Sequence, residues 1–185
     1  MYKLEIVYDE CAQSPRDINY TDCNLGAMIC FHRRYNLGDK HNYNSDYYNG
    51  WAEMEKQLIK DYKNDIILPL YLYDHSGITI NTTGFSCGWD SGQVGFIIAD
   101  RDQVSKVMGW KKITKARKEK LYKYLLGEVE TYDQFITGDV WGYQITDEDG
   151  EEVDACWGYF GRDYCEKEGQ SVLDNLNKES IYERV

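Results

Sequence analysis

The sequence predicts an α+β fold in one compact domain over residues 1–185, with a mixed or antiparallel sheet and about three to four helices. Three observations predict it. Short segments alternating apolar and polar residues recur along the chain, as half-buried strands do. Between them lie stretches whose apolar residues return every three or four positions, as on one face of a helix. The length of 185 residues and the 42% share of hydrophobic side chains suit a single core. Seventeen Tyr and five Trp against two Pro argue against disorder or a Pro-rich linker.

Residues 2–8 alternate as a first strand. Residues 25–32 alternate as a second, with Leu25, Ala27, Ile29 and Phe31 on one face and Met28, Cys30 and His32 on the other. The stretch 33–49 is polar and rich in Asn and Tyr, which predicts a long ordered loop around Asn36-Leu37-Gly38-Asp39. Tyr47, Trp51, Met54, Leu58 and Tyr62 then predict a helix over 46–63 capped by Ser45. Residues 66–73 form an apolar run containing Pro69, which fits an edge or bulged strand. Residues 94–99 read as a buried strand, 100–110 as a short helix, and Leu121, Tyr124 and Leu125 as the stripe of a stronger helix from Thr114 towards Gly127. Residues 140–145 and 153–160 flank Asp149-Gly150, a hairpin signal. Each arm carries Trp-Gly-Tyr, so Trp141, Tyr143, Trp157 and Tyr159 are expected to stack across the hairpin, at roughly 0.2–1 kcal/mol per pair. Gly142 and Gly158 would admit a close backbone or partner. A last helix over 163–177 would bury Val172, Leu173 and Leu176.

No stretch approaches the roughly twenty apolar residues of a membrane span. Met1 runs directly into Tyr-Lys-Leu-Glu-Ile-Val without a leader. A cytoplasmic protein with no membrane partner is expected, and the irregular spacing of its six Cys fits reduced thiols. The net charge of −11 is lopsided: residues 1–127 hold 17 basic against 16 acidic side chains, and residues 128–185 hold 4 against 16. An acidic third of that kind steers the chain towards basic surfaces and away from direct contact with nucleic acid. Lys111, Lys112, Lys115, Arg117, Lys118, Lys120 and Lys123 form an opposing cationic patch. It reads as a solvated helix face, able also to pair with the acidic third of another copy in a homo-oligomer.

Chemically capable side chains concentrate in residues 74–96, between two expected strands, where binding groups tend to sit. Cys87 with His75 or His32, and with Asp90 or Asp74, has the composition of a thiol nucleophile, its base and an orienting acid. Beside Phe85 and Trp89, the same Cys87 reads equally well as a core thiol. Ser76, Thr79 and Ser91 add hydroxyl groups for a nucleotide-like ligand. His32, Arg33 and Arg34 add cations and a ring of the kind that grip phosphate or stack on bases. Cys30, His32, His75 and Cys87 would suit zinc, but no Cys-x-x-Cys or His-Glu-x-x-His element supports a metal, and Asp147, Asp149 and Glu152 lack calcium-loop spacing. No metal or cofactor is expected.

Three groups of segments carry a resemblance: residues 24–39 (NLGAMICFHRRYNLGD), residues 73–77 with 85–96 (YDHSG, FSCGWDSGQVGF), and residues 138–143 with 153–159 (GDVWGY, VDACWGY). Over residues 20–165 the chain resembles a family of uncharacterised proteins of bacteriophages and bacterial mobile elements. The resemblance implies an accessory protein in the host bacterial cytoplasm, a setting in which many proteins inhibit host defence by binding. The acidic third then becomes a surface for the basic groove of a CRISPR or restriction effector, or another nucleic-acid-handling protein. Its contacts would be Asp147, Glu148, Asp149, Glu151, Glu152 and Asp154, with Trp157 and Tyr159 as anchors. The alternative is binding or hydrolysis of a nucleotide-like ligand at the Cys/His/Asp loop of residues 74–93.

Overall fold

The computed structural model describes residues 2–17 and 23–182. They form an α+β fold with four helices and two antiparallel sheets, of three and four strands, among the described residues. Two compact units make up the chain, Pro15–Asp133 and the pair of segments Met1–Ser14 and Gln134–Val185. Among the described residues no helix is long and apolar enough to cross a membrane.

In the unit Pro15–Asp133, strands β2 (Gly26–Cys30), β3 (Ile67–Asp74), β4 (Ile78–Asn81) and β5 (Ser91–Ala99) form an antiparallel sheet in the order β2-β5-β3-β4. Alternation sets its two faces. Ala27 and Ile29 share a face with their cross-strand partners Ile98 and Phe96, and helix α1 (Trp51–Asp61) packs Met54 and Leu58 onto it. Gly26 and Ile97 lie on the other face, where Leu125 of helix α3 (Lys115–Thr137) is packed. Helix α2 (Arg101–Met108) is capped by Asp100, which accepts from the amides of Asp102 at 2.8 Å and Gln103 at 3.0 Å, and ends on Gly109 at φ +66°.

Several elements differ from the sequence expectation. A 3-10 turn at Ser45–Tyr47 precedes α1, with Asn44 and not Ser45 as its cap, and Tyr47 is 80% exposed instead of facing the core. Pro69, by contrast, meets the bulged of the two expected alternatives: it lies in an interior strand beside a bulge at Leu70/Tyr71. Strand β4 occupies what reads as loop, and β5 begins three residues before Val94. Gly127 does not end α3; Leu121, Leu125, Val129 and Tyr132 continue one buried stripe through it.

Both edges of this sheet are closed by carboxylates. At β2, Asp39 accepts from the Met28 amide at 2.7 Å, and Glu128 accepts from the Leu25 amide at 2.6 Å and the Gly26 amide at 3.2 Å. At β4, Asp133 accepts from the Ile80 amide and the Thr79 hydroxyl, each at 2.7 Å. Edge N–H groups that would otherwise recruit another strand are thereby satisfied. Arg16, 6% exposed, binds Asp39 through Nε at 2.8 Å and through Nη2, Glu128 through Nη1 at 2.9 Å, and the Gly26 carbonyl at 2.7 Å. Burial opposes its charge, but Asp39 and Glu128 more than restore it and leave its pKa raised.

The second unit places β1 (Lys3–Tyr8), β6 (Val140–Thr146) and β7 (Glu152–Phe160) in the order β1-β6-β7, with helix α4 (Arg162–Tyr182) against one face. Tyr143, Ile145 and Cys165 form the core, joined by Leu4, Ile6, Tyr159, Val172, Leu173 and Leu176. The close approach of α4 is made at Gly169, where a Cβ would lie 2.9 Å from Leu4 Cδ1.

Candidate functional site

Strand order brings distant segments to one end of the four-stranded sheet. The turn joining β3 to β4, the loop entering β5 and the segment leaving β2 all emerge there, because Asp74 pairs with Ile78, Tyr73 with Ser91, and Cys30 with Gly95. Arg34 forms an ion pair with Asp74, whose other oxygen accepts from the Tyr35 hydroxyl at 3.4 Å. His32 stacks on Tyr35 at 4.9 Å, and its Nδ1 accepts from the amides of Arg34 and Tyr35 at 3.3 Å. His32, Arg33 and Arg34 therefore lie at the same sheet end as residues 74–91.

Within the loops, the Asp90 carboxylate meets both of the other candidate groups. Its Oδ2 is 3.2 Å from His75 Nδ1 and 3.8 Å from Cys87 Sγ. A nucleophilic thiol needs a base within hydrogen-bond reach. Here Cys87 reaches Asp90, while His75 turns Nδ1 to that same carboxylate, so the trio is arranged as His-Asp-Cys and not as an acid, a base and a thiol in series. With Nδ1–H donated to Asp90, Nε2 is the His75 nitrogen left for other contacts. The arrangement gathers His75 and Cys87 around one carboxylate.

The hydroxyl candidates are mostly engaged in structure. Thr79 donates to Asp133, and Ser91 donates to the Cys87 carbonyl. Ser76 sits at φ +58° in the β3–β4 turn and is exposed. The residue that sequence reasoning missed is Trp89. Its neighbours Phe85 and Cys87 read as a core group, yet Trp89 is 97% exposed while Phe85 packs on Tyr73 at 5.6 Å. No periodicity in this Gly-rich loop marks which aromatic turns inward.

The acidic hairpin of β6 and β7 is divided by its bulges. The register shifts at Ile145/Thr146 and again between Trp141 and Tyr143, where Gly158 takes φ +82°. Tyr159 lies opposite Trp141 and packs into the core at 5.9 Å from Tyr143. Trp157 instead covers Gly142, where a Cβ would come within 2.3 Å of its ring, and remains 45% exposed. The expected four-ring stack is thus replaced by Tyr143 with Tyr159, and by Trp157 over a bare glycine. Asp147 holds the turn by accepting from the Asp149 and Glu151 amides at 3.0 Å. Asp154 accepts from the Tyr143 hydroxyl at 3.1 Å. Burial, then Asp154, pushes that phenol up to about 12. Glu148, Asp149, Glu151 and Glu152 remain as the exposed carboxylates.

All six cysteines are free thiols. Burial, with Asp39 nearby, pushes Cys30 up to about 12, and burial with Cys156 and Glu166 pushes Cys165 up to about 11. Among the described residues no three of His, Cys, Asp and Glu are placed to hold a metal ion. An aromatic disulfide reagent at neutral pH is expected to modify exposed Cys11 and Cys23 first and to spare Cys30 and Cys165 until unfolding, as peptide mass spectrometry will show. Early modification of Cys30 would contradict the burial assigned to it.

No protein-family model, curated protein or solved structure matches the chain.

Proposed function

We propose that the protein is an anti-defence accessory protein of a phage or mobile element, whose acidic unit binds the basic groove of a host nucleic-acid-handling effector and blocks it. One observation supports this above others. The segments Met1–Ser14 and Gln134–Val185 hold 16 acidic against 5 basic side chains, which accounts for the whole net charge of −11, whereas Pro15–Asp133 is balanced at 16 and 16. Charge concentrated on one compact unit produces a directed field, strong enough to accelerate association with a basic partner by one to three orders of magnitude at low salt. Grooves built for phosphate are the basic surfaces such a field selects. Glu148, Asp149, Glu151 and Glu152 at the hairpin end supply the carboxylates, and half-exposed Trp157 on β7 supplies an apolar anchor.

The test compares the tagged protein with a variant carrying Glu148→Gln, Asp149→Asn, Glu151→Gln and Glu152→Gln in capture from nuclease-treated bacterial lysate. Asp147 and Asp154 stay in place because they hold the turn and Tyr143. The wild type is expected to recover a nucleic-acid-handling protein in stoichiometric amount, and the variant to bind it about tenfold or more weakly. Equal capture and equal inhibition by the neutral variant would sink the proposal.

A further inference from the structure

We propose that the Trp89 end of the four-stranded sheet is a nucleotide-binding site, in which the Trp89 indole stacks on the base and Arg33 and Arg34 hold the phosphates. A Trp that finds no cover in its own fold is unusual, since its large ring is normally well buried. Trp89 is nonetheless 97% exposed, although Tyr73 and Phe85 form an aromatic pair in the same loop system. The loop is fastened in that form. Asn81 Oδ1 accepts from the Gly84 amide at 2.7 Å, the Ser91 hydroxyl donates to the Cys87 carbonyl, and the Asp74 amide donates to the Asp90 carbonyl at 2.8 Å. The backbone that carries the indole is therefore tied on both sides, and the adjacent Asp90 orients His75, whose side chain is 64% exposed.

The cations at the same end of the sheet favour an anionic ligand. Arg34 is held by Asp74 and lies 5.6 Å over the Tyr35 ring, so its planar group is pre-positioned while 68% exposed. Arg33 is exposed and has no ion-pair partner among the described residues. Asp74 and Asp90 are already engaged by Arg34 and His75. An exposed indole and exposed guanidinium groups at one end of the sheet match a planar base that carries phosphate, because every base offers a π face and Arg binds phosphate through two parallel N–H groups. The unit that carries the site, Pro15–Asp133, is balanced at 16 acidic and 16 basic side chains, which gives a long polyanion no overall attraction and favours a free nucleotide over a strand.

The experiment titrates the full chain with ATP, GTP, CTP and UTP, and separately with a short oligo-dT, by calorimetry. Wild type is expected to bind a nucleoside triphosphate, Trp89→Ala to lose about tenfold or more in affinity, and Trp89→Phe to recover most of it. Arg33→Gln should weaken triphosphates more than the parent nucleosides. Unchanged urea midpoints will show that these exposed substitutions leave the fold intact. Preference for triphosphates assigns a free nucleotide as the source of the ligand, and preference for oligo-dT assigns a strand; Trp89 dependence of either supports the shared chemistry. Absence of binding by every probe, or affinity unmoved by Trp89→Ala, would overturn the site, and so would Trp89-dependent capture of a protein without nucleotide binding. The site does not rest on the acidic unit, so the hairpin-neutralised variant should bind nucleotide as well as wild type.

Discussion

Replacing Arg16 with Met is expected to destabilise the protein by about 3–5 kcal/mol, the usual consequence of removing one partner from a buried ionic network. The guanidinium is enclosed, and it engages Asp39, Glu128 and the Gly26 carbonyl at once. Without it, two carboxylates are left with backbone amides alone, and the strand edge they close is weakened. Arg16→Lys should rescue little, because one ammonium cannot reproduce a planar fork that serves three acceptors. The loss should also depend on pH with a defined sign. Burial pushes the Glu128 carboxyl up, against Arg16 and the Leu25 and Gly26 amides, which pull it down. Removing Arg16 raises it further, so the folded variant holds its proton more tightly than the unfolded chain does. The penalty is then small below the ordinary Glu value and grows as pH rises through the raised one. Urea unfolding from acid to neutral pH, at an unchanged slope, measures this; a variant with wild-type stability at neutral pH would show that the network contributes nothing net.

Gly95→Ala should cost about 3 kcal/mol or more, at or beyond the upper end of ordinary overpacking. Its Cβ would lie 1.9 Å from the Ile29 carbonyl oxygen and 2.9 Å from Cys30 Cα, in the ladder between β5 and β2. Both obstacles are backbone, so no side chain can turn aside. The two strands must separate just where Phe31 donates to the Val94 carbonyl at 2.8 Å. Gly92→Ala on the same strand supplies the control, since nothing lies within 4 Å of its Cβ, and it should stay within about 0.5 kcal/mol of wild type. Thermal or urea midpoints for the pair decide it, and equal midpoints would refute the clash.

The contrast between these positions shows what the sequence makes legible. The stripe of Met54 and Leu58, the alternation of Ala27 and Ile29, and the Asp-Gly turn each encode a local period, and all three appear where expected. Strand β4 escapes because Ile78-Thr79-Ile80-Asn81 is too short for a period to stand out among glycines. Gly127 reads as a stop, yet a single exposed Gly costs a helix only about 1 kcal/mol, which the buried stripe on either side outweighs. The buried network is invisible locally: Arg16, Asp39 and Glu128 are far apart in the chain and each resembles a surface charge.

The candidate sites show the same division. The sequence offers His75 or His32 and Asp74 or Asp90 as partners for Cys87 without placing them together; the structure sets His75 and Cys87 on Asp90 and joins the His32–Arg34 segment to the same sheet end through Asp74. Which aromatic faces water is not legible, since Phe85 and Trp89 are both large rings in a loop without a period, and the way the loop is tied decides which packs on Tyr73. In the acidic hairpin the residue types were legible, but the bulges at Ile145/Thr146 and Gly158 redirect Trp157 and Tyr159 in a way that strict alternation does not predict.

The most direct test of the proposed inhibitor is a competition measurement, with the captured effector held at fixed concentration, labelled nucleic acid bound to it, and this chain added in increasing amount. Binding to the basic groove predicts mutually exclusive occupancy: the nucleic acid is displaced in full, and displacement weakens with salt and with neutralisation of Glu148, Asp149, Glu151 and Glu152. A stable ternary complex, with nucleic acid still bound while the chain saturates the effector, would contradict it.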